Sequence, residues 1–287
     1  MHIRLSIGLA LTAAIASGAA ANAASFPTVF VSNSGSNVAG CGVISSPCRG
    51  IGYAIANAVA SNGRIIVLDQ GYVTGPLVIN KPVSIVATPG TATIIPGSGA
   101  SVKVAAGTGH VMLKGLTIDG QGVGTAGIDV QSAGSVSIID CVVHHFASDG
   151  IFIEPNTSLK YDVTDTSSVD NGGNGVYVVT RTGGNAVGTI SNVNALRNGG
   201  AGVTIDASGG GTSVAHIQNT RANQNAYVGF AKITGGSFYL ATSTATGNSN
   251  NIVSAGGGGP GYTYGNNFLT GNTSDSGTGY LTPVSVQ

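Results

Sequence analysis

Asparagine recurs at Asn171, Asn198, Asn225, Asn248 and Asn272, at intervals of 27, 27, 23 and 24 residues. The first three each stand four residues before a glycine-apolar pair: Gly175-Val176, Gly202-Val203 and Gly229-Phe230. Self-similarity at a period of roughly 20–50 residues marks a solenoid or array. Equivalent residues of successive turns then stack one sheet spacing apart, about 4.8 Å. A stacked asparagine column can hydrogen-bond along itself, side-chain amide to side-chain amide.

Aligning each turn to this column gives every side chain an address. Ile138, Val163, Ile190, Ile217 and Leu240 share one position, which must be core. Val143, Ser168, Ala195, Ala222 and Ala245 share a second, inward and crowded. Asp140, Asp165, Asn192 and Asn219 form a second polar column, expected at turns. Another strand begins just after glycine: Gly127-Ile128, Gly150-Ile151, Gly175-Val176, Gly202-Val203 and Gly229-Phe230. Apolar residues inside, with each strand pairing in parallel with its homologue one turn away, predict an all-β fold. It is a single-stranded right-handed parallel β-helix of roughly eight to ten coils.

The N-terminal region departs from this period. Arg4, the apolar or small run Leu5 to Gly18, and Ala21-Asn22-Ala23 fit a cleavable signal peptide over 1–23. Residues 24–63 form a lead-in with one helical pattern over 49–60. There Ile51, Ala54, Ile55, Ala58 and Val59 share a face and Ser61-Asn62-Gly63 stops the helix. This helix is expected to cap the first coil. Residues 64–275 then form the β-helix and 276–287 a tail. The C-terminal coil shows no such helix and is left open to self-association.

Charged residues are only 8% of the chain, 11 basic against 11 acidic, with no basic cluster. Nucleic-acid binding has no electrostatic footprint here. No later apolar run is long enough to span a membrane. Cys41 and Cys48, in a Gly/Ser/Pro loop of a chain expected to be exported, read as a disulfide, whereas Cys141 reads as a buried thiol.

The stretches TVFVSNSGSN, CGVISSPCRGIGYAIANAV and GRIIVLDQGYVTGPLVINKPVSIVA resemble the start of pectate-lyase-like and pectinesterase-like β-helix proteins. With GLTIDG, SIIDCVVHHF, NGGNG and RNGGAG, the chain is most similar to small exported bacterial β-helix repeat proteins. The resemblance runs over about residues 28–275 and implies the fold more than an activity. The catalytic motifs of polygalacturonases, pectinesterases, alginate epimerases and the Arg-x-Pro-x-x-Arg pectate lyases are missing, so none of their residues transfers.

Three constellations stand out among so few charges. His145, Asp170 and Arg197 share a column on three successive turns. A histidine beside a carboxylate can act as a base and an arginine can hold a uronate carboxylate. The same row also reads as an opposite-charge ladder that stabilises the stack. Second, alternation turns Asp129, Phe152, Glu154, Tyr177 and Asp206 outward on the strand after glycine. Aromatics flanked by acids suit a sugar ring, and ordinary cross-strand packing is the alternative. Third come Asp119, His144 and Asp149; they match no calcium loop, and no metal site is assigned. His216 reads as an isolated surface residue. No cofactor is expected, and calcium is the one ion kept open.

The expectation is an exported protein, secreted, periplasmic or at the cell surface, that binds extracellular polysaccharide without turning it over. The alternative is a polysaccharide lyase or glycoside hydrolase acting on uronate-containing glycans, using His145, Asp170, Arg197 or Glu154. A flat ladder face favours the first reading. Long loops near 154–160 and 181–186 walling a cleft favour the second.

Overall fold

The computed structural model describes residues 25–69, 72–74, 76–88, 92–95 and 99–284. The expected signal peptide lies outside the described residues. Three parallel sheets wind around one apolar interior. The first has eleven strands, from Phe26–Val31 to Leu281–Pro283; the second eight, from Leu77–Ile79 to Asn250–Ala255; the third six, from Tyr72–Thr74 to Asn194–Leu196. Each coil visits them in the order third, second, first, as in Val142–His144, Asp149–Ile153 and Ser158–Thr164. The expected right-handed parallel β-helix is what forms. Beyond Asn194–Leu196 the third sheet continues only as single bridges at Arg221, Thr244 and Phe268. There a side chain substitutes for ladder pairing: Asn223 Oδ1 accepts from Thr246 N at 3.1 Å.

The addresses assigned from the asparagine column hold. Ile138, Val163, Ile190, Ile217 and Leu240 are in register on the first sheet and fully buried. Burying each such side chain contributes roughly 1.5–3 kcal/mol. The asparagines form a continuous buried ladder. The Nδ2 groups of Asn171, Asn198, Asn225 and Asn248 donate to the Oδ1 of the next asparagine at 3.0, 3.1, 3.1 and 2.9 Å. The same Oδ1 also takes the preceding asparagine's backbone N–H, as Asn225 Oδ1 does from Asn198 N at 3.0 Å. The second Nδ2 hydrogen of Asn198 goes to Ser168 O at 3.1 Å. Glycine leaves room for this ladder: a Cβ on Gly175 would lie 2.7 Å from Gly202 O and 2.8 Å from Asn198 Nδ2.

Each coil turns two corners with left-handed residues. One column is Asp140, Asp165, Asn192 and Asn219, all at φ between 49 and 56°. The other is His145, Asp170, Arg197 and Gln224 at φ 57, 56, 53 and 58°, continued by Gly247 and Gly271. Asparagine, aspartate and glycine tolerate this region best.

The helix covers the first coil as expected, but spans Ile51–Asn57. Ala58 leaves it at φ −121°, because Val59 already pairs with Phe26 as the start of the strand Val59–Val67. Ser61-Asn62-Gly63 is therefore inside a strand and not a helix stop. Cys41 and Cys48 are disulfide-bonded, and Cys141 is a buried free thiol. The far end is less bare than expected. A 3-10 turn, Ser276–Tyr280, packs on Asn250–Ala255, and Leu281–Pro283 adds a strand beside Gly261–Thr263. Asn251 ties this turn down, donating to Leu269 O and Asp275 O and accepting from Gly277 N. A cavity of about 300 Å³ remains there between Thr263, Leu269 and Leu281.

Candidate functional site

The outer side of the second sheet carries a group of charged residues. Its outward register runs Lys103, Asp129, Phe152, Tyr177, Thr204 and Ala231 on successive coils. One step along each strand after the intervening inward residue stand Gln131, Glu154 and Asp206. Alternation forces these side chains out while Val130, Ile153 and Ile205 fill the core. All five residues expected to bind substrate lie on this face, yet Asp129 and Asp206 are only 8% and 4% exposed.

Phe152 and Tyr177 pack as expected from their column, ring centroids 5.4 Å apart and tilted 36°. Both residues are half-buried, and the Arg181 guanidinium carbon lies 5.7 Å from the Phe152 centroid. Arg181 also binds Glu154 Oε2 through Nε at 2.8 Å and through a second nitrogen. The Tyr177 hydroxyl donates to Asp206 Oδ2 at 2.8 Å, and Ser208 N donates to Asp206 Oδ1 at 2.7 Å. Burial and the Asp206 carboxylate together push the Tyr177 hydroxyl well above its ordinary range.

Asp129 differs from these satisfied groups. Gln131 Nε2 donates to its Oδ2 at 2.9 Å, but its buried Oδ1 has no hydrogen-bond partner. Burial and then the neighbouring Glu154 charge raise its carboxyl to about 6, against the opposing pull of Gln131 and Lys103. A carboxyl that titrates there can give or take a proton near neutral pH. Asp149, at the start of the same strand as Phe152, is also raised by burial, although Asn174 N and Nδ2 donate to its Oδ1 at 2.7 and 2.8 Å.

The enzymatic candidates do not assemble into one site. Asp170 and Arg197 form a two-point ion pair at 2.8 Å, Nε to Oδ1 and the other nitrogen to Oδ2. The arginine hydrogen bonds hold Asp170 below the usual carboxylate range. This pair and His145 sit at the corner entering the second sheet, whereas Glu154 stands at the exit from it. Five residues of extended chain separate those corners, about 16 Å. Asp119 and His144 are in register on adjacent coils, as their column implies, but Asp149 partners Asn174 instead of joining them. His145, unexpectedly, does join them: its Nδ1 is 3.6 Å from Asp119 Oδ1.

Sequence reasoning missed Lys103, Gln131 and Arg181. The signal for Lys103 was its register one coil before Asp129. Arg181 lies in a turn, where column alignment has no purchase. His216 is not isolated: it stacks on Tyr239 at 4.7 Å, and Tyr239 on Tyr262 at 4.6 Å. Those faces are taken up by one another, so the row stabilises the first sheet. The segments 154–157 and 180–184 are short connections, and no long-loop walls rise beside the second sheet among the described residues.

No protein-family model matches the chain, and no curated protein does. Among solved structures, the chain is similar to ORF18 of Geobacillus virus E2 at 16% identity and a TM-score of 0.46. That match covers 65% of this chain and 42% of the viral one, so the chain spans well under half of that protein's length. It is also similar to pectate lyase Pel9A, at 16% identity and a TM-score of 0.52, over 87% of this chain and 81% of that one. Identity this low speaks for architecture alone. In fold, the chain is a pectate-lyase-like parallel β-helix.

Proposed function

We propose that this is an exported protein whose second-sheet outer face binds extracellular polysaccharide. The observation that carries the reading is the unpartnered Oδ1 of Asp129, buried beside Glu154 on an outward row with Lys103 and Tyr177. A buried polar atom without a partner costs roughly 1–3 kcal/mol. A sugar hydroxyl that parts the side chains over it and donates to it would recover that cost on binding. Lys103 adds a cationic group suited to uronate carboxylates, whereas Arg181 is held by Glu154. The absence of long loop walls among the described residues favours binding without turnover. Export rests on the N-terminal signal pattern and agrees with the Cys41–Cys48 disulfide. No helix among the described residues is long and apolar enough to cross a membrane.

One observation favours a second reading, a lyase or hydrolase. Asp129 titrates near 6 beside a second carboxylate, the arrangement that lets one group act as acid and the other stay ionised. Screening the full chain against neutral and uronate glycans, with unsaturated-product and reducing-end assays on the same panel, separates the two. Retention without product supports the binding protein, and product lost in Asp129→Asn supports the enzyme. No retention and no product on any glycan rejects both.

A further inference from the structure

We propose that Asp119, His144 and His145 form a binding site for a divalent transition-metal ion of the zinc class, separate from the second-sheet face. His144 ends the strand Val142–His144 directly above Asp119, which ends the strand Leu116–Asp119 one coil earlier. His145 follows at the corner in the left-handed region, φ 57°, and this swings its ring back over the same carboxylate. The three donor atoms converge. Asp119 Oδ1 lies 3.6 Å from His144 Nδ1 and 3.6 Å from His145 Nδ1. The two Nδ1 atoms are 2.8 Å apart. Gln121 N donates to Asp119 Oδ1 at 3.0 Å and fixes the carboxylate, the role outer partners play in metal sites.

Tetrahedral zinc with bonds of about 2.0–2.1 Å sets its ligand atoms roughly 3.4 Å apart. Both carboxylate-to-imidazole distances already fit that edge. The two imidazoles need only part by about half an ångström, within ordinary side-chain rotation, to admit the ion. Two nitrogens and one oxygen select a transition metal over calcium or magnesium, which take oxygen ligands in larger number. His145 is 57% exposed, so a fourth position opens to water or to a ligand from outside. The group is also unique within the repeat. The same two columns read Val169-Asp170, Leu196-Arg197 and Asn223-Gln224 on later coils, so the histidine pair is no requirement of the corner itself.

The test uses the full chain without an affinity tag, stripped with chelator, then titrated with Zn²⁺ by calorimetry and with Co²⁺ by visible absorption. The wild type should bind one ion per chain and give the absorption of four-coordinate cobalt. His145→Gly keeps the left-handed corner and Asp119→Asn keeps the size. Each should weaken binding by more than the roughly 10–100-fold that loss of an outer partner costs. Zn²⁺ should raise the melting temperature of the wild type and leave that of both variants unchanged, and excess Ca²⁺ should not displace it. The proposal is overturned if both variants bind as tightly as the wild type, or if binding disappears with His110→Ala or His216→Ala instead. Displacement by Ca²⁺ would overturn the choice of metal class.

Discussion

The asparagine ladder and the outward row of the second sheet occupy equivalent repeats and were built to opposite rules. Along the ladder every coil from Asn171 to Asn272 carries the same residue, and each amide between the ends is bonded on both sides. Along the outward row the residue changes at every coil, from Lys103 through Asp129, Phe152 and Tyr177 to Thr204, and one buried oxygen is left without a partner. A solenoid needs its turn positions to repeat, because every coil solves the same geometric problem. Variation where the geometry is constant has no such explanation. The proposed binding reading rests on that variation, with the face taken to meet something other than the next coil.

Substitutions can break that contrast, the ladder first. Asn198→Ala takes the side-chain acceptor from Asn171 N, one of the acceptors from Asn171 Nδ2 and the amide donor from Ser168 O, all in the buried interior. Denaturant unfolding should show a loss of about 3–5 kcal/mol, and an unchanged midpoint would mean the ladder is incidental. Gly175→Ala drives a methyl against Gly202 O and Asn198 Nδ2; overpacking of that kind should cost about 1–3 kcal/mol in the same experiment.

The outward row should respond with the opposite sign. In the folded chain the Asp129 carboxyl titrates near 6 instead of 3.8, so the folded state holds this proton more tightly than the unfolded one. Below about pH 4 both states are protonated and nothing is lost. As pH rises from there through 6 the unfolded chain ionises first, and stability falls. Asp129→Asn removes this dependence. It should stabilise the protein at pH 7 by about 1–2 kcal/mol, allowing for solvent screening, with the gain vanishing toward pH 4. A variant less stable than wild type at pH 7 would show that the carboxylate is structurally required. Arg197→Ala, at an exposed pair on the corner column, should change stability by less than about 1 kcal/mol and leave glycan retention unaltered. Lost retention would return that column to candidacy.

How far the sequence could be read follows from the same contrast. The ladder, the core column from Ile138 to Leu240 and the crowded column from Val143 to Ala245 were legible because repetition supplies register. So was the Phe152–Tyr177 contact, which alternation alone dictates. The helix end was misjudged because Ala58-Val59 continues the apolar helical pattern, while the pairing of Val59 with Phe26 is a long-range event. His145 meeting Asp119 depends on a left-handed backbone that no column records. Arg181 reaches Glu154 from a turn outside every aligned strand. The capping turn at Ser276–Tyr280 has no apolar period, and Asn251 holds it through side-chain hydrogen bonds.

The central claim is that the outward row, and not the corner column, recognises polysaccharide. Its most direct test is retention of the full chain on a uronate glycan, compared between Asp129→Asn with Phe152→Ala and the Arg197→Ala control, with circular dichroism verifying the fold of each. The account predicts at least about a tenfold loss of affinity for the double variant, the loss of roughly 1.4 kcal/mol expected from one unpaired hydrogen bond and one aromatic contact, and none for the control. Equal affinity in the double variant and the wild type would contradict it.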